Sequence, residues 1–166
     1  MKKIKFFLTF LCAVLFFCAC SPKPNMESLL DYQRPGARMS LSITDGSVFL
    51  AELQLTEDGA TLTFTDSARE GISYRADKSG GVCMFYEDVE IPLDPSDELK
   101  CKDWFALFAI PADENIWRIK QETLGGIAVY VCRDGRITLY LDAATGLPLR
   151  IETEDVQIDV LHAEVN

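Results

Sequence analysis

The side chains that most often act in acid–base or nucleophilic catalysis are sparse in this sequence. His162 is the only histidine, and catalytic or metal-binding histidines need a positioned partner. No G-x-S-x-G nucleophile motif occurs. Gly125-Gly126 is not followed by Gly-Lys-Ser/Thr, so it predicts a turn and not a phosphate-binding loop. We expect His162 to have a structural or surface role, and we expect the protein not to be an enzyme.

Three cysteines, Cys83, Cys101 and Cys132, lie in the part of the chain that is expected to fold. No C-x-x-C motif occurs, so neither a zinc site nor thioredoxin-like chemistry is predicted. Because the number is odd, either one disulfide with a free thiol or three buried free cysteines is compatible with it. If two of them pair, we expect Cys83 and Cys132, since both lie in predicted strands that can be neighbours around a sheet.

An acidic stretch precedes the most helix-like segment of the chain. Its spacing is not that of an EF-hand calcium loop. A solvated acidic loop that favours the N-terminus of the following helix is the better interpretation, and no metal or cofactor is predicted. The acidic residues are Glu87, Asp88, Glu90, Asp94, Asp97 and Glu98.

The N-terminal residues indicate export. Three lysines precede an apolar run over residues 6–17 that only Thr9 interrupts. This run is too short to span a bilayer, which needs about 20 residues, and it is typical of a secretory signal peptide.

The end of this run carries a candidate modification site. The sequence Phe17-Cys18-Ala19-Cys20 resembles the lipobox of bacterial lipoproteins, in which the cysteine receives a diacylglyceryl group and becomes the N-terminus after cleavage. Cys20 fits better than Cys18 because the small Ala19 precedes it. We expect residues 1–19 to be a lipoprotein signal peptide and the lipid on Cys20 to hold the protein at the extracytoplasmic face of the cell membrane. An ordinary signal peptide that is cut nearby is the alternative.

The remaining chain has the size of one domain and is acidic. Loss of the signal peptide removes three lysines and no acidic residue, which lowers the formal net charge from −10 to −13. Such a protein repels nucleic acid and anionic head groups, so the lipid and not surface charge must attach it to the membrane. We expect a tether over residues 20–36 and a folded domain over residues 37–166.

Residues 37–166 show mostly a period of two, with apolar side chains alternating with polar ones, as in Met39, Leu41 and Ile43. Short turn sequences such as Asp45-Gly46 and Asp134-Gly135 separate the runs. This pattern predicts about ten antiparallel strands in a meander. Residues 26–32 predict one or two helical turns.

One longer helix is predicted over residues 96–109. Asp94 and Pro95 form a helix-start signature, and Pro111 ends the helix. Ten strands spaced about 4.8 Å apart make a sheet roughly 45 Å wide, and one helix of about 20 Å cannot cover its apolar face. The sheet can curl until its inner side chains meet, enclose a cavity under the helix, or offer the uncovered patch to a partner.

A family resemblance favours the cavity. Residues 139–152, LYLDAATGLPLRIE, resemble the strand–turn–strand signature of the outer-membrane lipoprotein carrier and receptor superfamily. Over most of residues 37–165 the order of elements is similar too. The resemblance implies an incomplete antiparallel barrel around helices with a hydrophobic cavity. Family members carry or receive the acyl chains of lipoproteins, and relatives bind other lipids. This chain is anchored itself and has fewer helices, so it resembles a small, divergent member.

The leading hypothesis is therefore a non-enzymatic, membrane-anchored protein that binds a lipid or other apolar ligand in the concave face of a mostly-β half-barrel. The alternative is an anchored interaction module with a filled core that binds an envelope protein. Trp104, Phe105 and Phe108 are either a lid over a lipid pocket or the plug of an ordinary core. The candidate ligand-binding residues are Trp104, Phe105, Phe108, Phe49, Leu53 and Leu139.

Overall fold

The computed structural model describes residues 24–113 and 116–165. The predicted signal peptide and Cys20 lie outside the described residues. The described part is mostly β, as predicted, with two helices, which we number α1 and α2, and one strand more than the ten expected. The elements are α1 (Met26–Leu29), a 3-10 turn (Asp31–Gln33), β1 (Arg38–Asp45), β2 (Ser47–Thr56), β3 (Gly59–Phe64), β4 (Ile72–Asp77), β5 (Val82–Tyr86), β6 (Val89–Ile91), α2 (Pro95–Ala106), β7 (Arg118–Leu124), β8 (Ile127–Arg133), β9 (Thr138–Asp142), β10 (Pro148–Glu152) and β11 (Gln157–Glu164).

The eleven strands form one antiparallel sheet in the order β6-β5-β4-β3-β2-β1-β11-β10-β9-β8-β7. Two meanders therefore meet where the first strand pairs with the last. We call β1–β6 the N-terminal arm and β7–β11 the C-terminal arm. Strands β6 and β7 are the free edges, so the sheet does not close. The sheet is curved and has the form of an incomplete barrel. The short β6 is the additional strand, because three residues are too few to show a period of two.

The alternation in the sequence places one row of side chains on each face of the sheet. Along β2, every second residue from Phe49 to Leu55 is buried and its neighbours are exposed. Inner residues of both arms belong to one apolar core. The outer face is polar; there Arg150 is bonded to Asp159 at 2.6 Å and Tyr140 to Glu152 at 3.0 Å.

The N-terminal segment enters this core, although the sequence analysis placed it in the tether. The side chain of Asn25 caps α1 by accepting a hydrogen bond from the amide of Glu27 at 2.8 Å. Met26 and Tyr32 are almost fully buried. The Tyr32 phenol lies close enough to Cys132 of the C-terminal arm to interact with it electrostatically, and burial raises the pKa of Tyr32 far above its ordinary value. This segment therefore covers inner surface that α2 does not reach.

Helix α2 begins as predicted and ends three residues early. The carboxylate of Asp94 accepts hydrogen bonds from the amides of Ser96 at 2.9 Å and Asp97 at 3.1 Å, which satisfies two donors of the first turn. At the other end, the amides of Phe108 and Ala109 bond to carbonyls three residues back, so the chain tightens into a 3-10-like turn. The helix packs against β4 and β5.

The predicted pairing of Cys83 with Cys132 is wrong. All three cysteines of the described residues are free, and only Cys83 is exposed. Cys83 lies in β5 and Cys132 in β8, near opposite edges of the sheet. The prediction failed because the seam between β1 and β11 separates the two arms, which local sequence patterns do not reveal.

Candidate apolar binding groove

Helix α2 crosses the concave side of the half-barrel and leaves an opening on each side of itself. One opening, the apolar groove, lies towards the turns β2–β3 and β4–β5. The other, the acidic cleft, lies towards the turns β1–β2, β8–β9 and β10–β11. The groove is lined by Gln33, Pro35, Leu55, Thr56, Gly59, Ala60, Ala76, Asp77, Lys78, Gly80, Val82, Lys102, Phe105, Ala106, Phe108 and Ala109. The cleft is lined by Asp45, Ser96, Leu99, Lys100, Asp103, Trp104, Ala106, Leu107, Gly135, Arg136, Ile137, Thr153, Glu154, Asp155 and Val156.

The floor of the apolar groove is a single cross-strand row. Leu55 lies opposite Ala60, Ala60 opposite Ala76, and Ala76 opposite Val82. The next row inward contains larger side chains, with Leu62 opposite Tyr74. Because the middle of the floor row carries only methyl groups, the sheet surface is recessed there.

The roof of the groove comes from the end of α2 and the turn that follows it. Phe105 lies in the last turn of the helix, and Phe108 lies two residues beyond Ala106 in the 3-10-like turn. Both are largely buried, at 8% and 5% exposure, yet both line the groove. The groove has a volume of about 620 Å³, within the range of small-molecule sites.

Gly59 allows the start of β3 to lie close to the backbone of Ala76 in β4. A Cβ atom at this position would overlap the carbonyl oxygen of Ala76. Glycine is therefore required where β3 begins. Gly59 therefore belongs to the groove wall as well as to the β2–β3 turn.

The acidic cleft is larger, about 950 Å³, but its chemistry is different. Four carboxylates and two cationic side chains line it. Lys100 of α2 forms an ion pair with Asp45 at 2.9 Å, which ties the helix to the end of β1. Charged side chains in the wall favour water and ions over an apolar ligand.

Trp104 lines the acidic cleft and belongs to an aromatic cluster. Its ring centroid is 5.3 Å from that of Phe49, 6.4 Å from that of Tyr74 and 6.5 Å from that of Phe64. Its Nε1 donor is buried and finds no acceptor within the described part of the chain. Dispersion and ring contacts, not hydrogen bonding, hold the indole in place.

The six residues predicted to bind ligand are thus distributed over different places. Phe105 and Phe108 line the apolar groove together. Trp104 and Phe49 contact each other in the aromatic cluster. Leu53 and Leu139 are fully buried core residues and line neither opening.

The sequence analysis missed the floor residues Ala60 and Ala76 and the rim lysines Lys78 and Lys102. A signal was present: alanine at two inward positions of adjacent predicted strands, where larger apolar residues are usual. Their alignment could not be known without the register of β3 with β4.

The remaining candidates have simple surroundings. His162 lies on the surface of β11, as expected, with Nε2 3.2 Å from Glu164. Among the described residues no group of three potential metal ligands occurs. None of the helices in residues 24–113 and 116–165 has the length and apolar content needed to cross a membrane.

Comparison of the sequence with models of known protein families and with curated proteins finds no match. The resemblance to the lipoprotein carrier superfamily therefore stays a prediction that rests on residues 139–152 and on the order of elements.

Proposed function

We propose that this protein is a non-enzymatic lipoprotein, anchored by Cys20 at the extracytoplasmic face of the cell membrane, that binds a lipid or another apolar ligand in the apolar groove. The observation that carries the proposal is the recessed floor of Ala60 and Ala76 beneath Phe105 and Phe108. Apolar surface that remains open in an otherwise filled core usually serves a ligand.

The filled parts of the molecule support this placement. Inner residues of the C-terminal arm, such as Leu139 and Ile151, have no exposed surface. An apolar ligand would therefore not enter there without displacing core side chains. In the groove, an apolar ligand can contact apolar side chains without displacing the core.

Native mass spectrometry of the mature chain carrying Cys20→Ser tests the binding proposal. We expect a co-purified lipid, or adducts with added long-chain lipids, that is lost in a variant with a filled groove. Spectra with no adduct under any of these conditions would rule out the lipid-binding function.

The anchor is tested separately by cell fractionation. Wild-type protein should remain with the membrane, and Cys20→Ser should release it, because two acyl chains supply most of the attachment. Cys18→Ser is the matched control and should leave the protein bound. A Cys20→Ser protein that stays as firmly bound as wild type would contradict the lipobox interpretation.

An interaction module is the second candidate, because one surface feature favours it. Val48 and Leu50 of β2 project outward, 65% and 42% exposed, and Leu161 is 62% exposed at the irregularity where β11 pairs with β1. These residues lie on β2 and β11, the two strands that flank β1. An envelope protein that bound there would be unaffected by changes in the groove.

A further inference from the structure

Two lysines stand at the rim of the apolar groove in a chain whose net charge is −10. Lys78 lies in the β4–β5 turn, and Lys102 lies on α2. Lys102 pairs with Glu98 at 2.6 Å along the helix surface. Lys78 has no ion-pair partner among the described residues. At this opening, two cationic side chains therefore adjoin the apolar floor of the groove.

Asp77 is the acidic residue of this rim, and its carboxylate is occupied by the turn. Oδ1 accepts hydrogen bonds from the amide of Ser79 at 2.7 Å, from its hydroxyl at 2.6 Å and from the amide of Gly81 at 3.0 Å. These bonds lower the pKa of Asp77. They also hold the turn in the conformation that carries Lys78.

The acidic cleft provides the contrast. Asp45, Asp103, Glu154 and Asp155 line it against Lys100 and Arg136. An anionic ligand would meet an excess of negative charge there and would avoid it. The cleft therefore carries an excess of acidic side chains, whereas the groove rim does not.

We propose that the apolar groove binds a single-chain anionic amphiphile of the fatty-acid type. The carboxylate lies at Lys78 and Lys102, and the alkyl chain lies between Phe105 and Phe108 and the Leu55–Ala60–Ala76–Val82 row. This inference rests on the proposed function and names its ligand class. The lysine stems extend the apolar wall, while their ammonium groups meet the head group.

The test uses the mature Cys20→Ser chain and three probes with the same chain length: dodecanoate, dodecanol and dodecyltrimethylammonium, each below its micelle concentration. Isothermal titration should show dodecanoate binding about tenfold tighter than the cationic probe. The double variant Lys78→Gln/Lys102→Gln should remove about tenfold of the dodecanoate affinity and leave dodecanol unchanged. Lys120→Gln, an exposed lysine of edge strand β7, is the matched control and should change none of the three.

Equal affinity for the three probes, or no effect of the lysine changes, overturns the anionic-ligand inference and leaves the proposed function in place. Failure of all three probes to bind overturns both. If the double variant does not fold, the single variant Lys78→Gln, at an exposed turn position, replaces it. This variant should weaken the binding of dodecanoate but not that of dodecanol. An unchanged affinity for dodecanoate would count against the inference.

Discussion

The apolar groove and the acidic cleft lie on opposite sides of the same helix, yet they differ in almost every physical property. The groove is smaller and has a floor of small apolar side chains. The cleft is larger, and an ion pair between Lys100 and Asp45 lies in its wall. Volume alone would favour the cleft, but the charged side chains in its wall favour water over an apolar ligand, so the groove is the proposed binding site.

The comparison shows how a single helix can separate two environments. Phe105 in the last turn of α2 and Phe108 in the turn that follows line the groove, while Lys100 and Trp104 of α2 line the cleft. Trp104 also packs against Phe49. The function proposed for the groove depends on this separation being stable.

The largest expected effect concerns packing at the centre of this division. Trp104→Ala should lower the free energy of unfolding by about 3–5 kcal/mol, as for other buried aromatic residues. Phe108→Ala should cost less than about 3 kcal/mol, because Phe108 is smaller and, among the described residues, makes none of the three ring contacts that Trp104 makes. Urea denaturation of both variants measures the difference, and equal losses would mean that the groove is as tightly packed as the core.

Thiol reactivity shows whether α2 stays on the sheet. Cys101 lies on its buried side, and burial raises the pKa of its thiol from 9.0 to about 11. A raised pKa means that the reactive thiolate forms only at higher pH. Near pH 7 the thiolate fraction of Cys101 is therefore about a hundredfold lower than that of a thiol with the ordinary pKa.

Among the three cysteines of the described residues, we therefore expect a thiol reagent to modify only Cys83 in the native protein. Mass spectrometry of the labelled peptides measures this. Cys132, also buried and with its pKa raised to about 11, is the internal control. Modification of Cys101 at the rate of Cys83, while Cys132 stays protected, would show that the helix lifts and that the two openings merge.

A filled groove should block binding where a filled cleft does not. Ala60→Phe places a ring on the recessed floor, and we expect at least about a tenfold loss of affinity for a fluorescent fatty acid. Val156→Phe makes a similar change in the cleft and should leave the affinity within about twofold. The reverse result would transfer the binding site to the cleft.

The smallest effect concerns the ion pairs of α2. Lys100→Ala should cost about 1 kcal/mol, because it leaves the largely buried Asp45 without its partner. Lys102→Ala should cost only about 0.3–0.5 kcal/mol, since its pair with Glu98 is solvent-exposed and within one helix. Thermal unfolding at low and high salt measures both losses of stability. Equal losses would indicate that the pair of Lys100 with Asp45 is as well solvated as the pair of Lys102 with Glu98.

Much of the fold could be predicted because its information is local. Alternation placed Phe49, Leu53 and Leu55 on one face, and Asp94 with Pro95 marked the helix start. Two-residue turns such as Gly125-Gly126 set the register of neighbouring strands; both glycines have positive φ, as that turn requires.

The rest depended on contacts between distant residues. Ala60 and Ala76 become neighbours only through the register of β3 with β4, which a longer loop connects. The burial of Met26 and Tyr32 depends on surface supplied by both arms. No local pattern distinguishes such a segment from a tether with a short helix.

The pairing of the first strand with the last affects how the protein folds. Each arm is a series of local hairpins, which form quickly, but the central seam joins Leu41 to Val160. Contacts between such distant positions slow folding, because the chain must lose much of its freedom before they form. For a chain exported as proposed, the sheet is completed only after its last strand has crossed the membrane, and until then β1 and β11 are unpaired edges that need protection from aggregation.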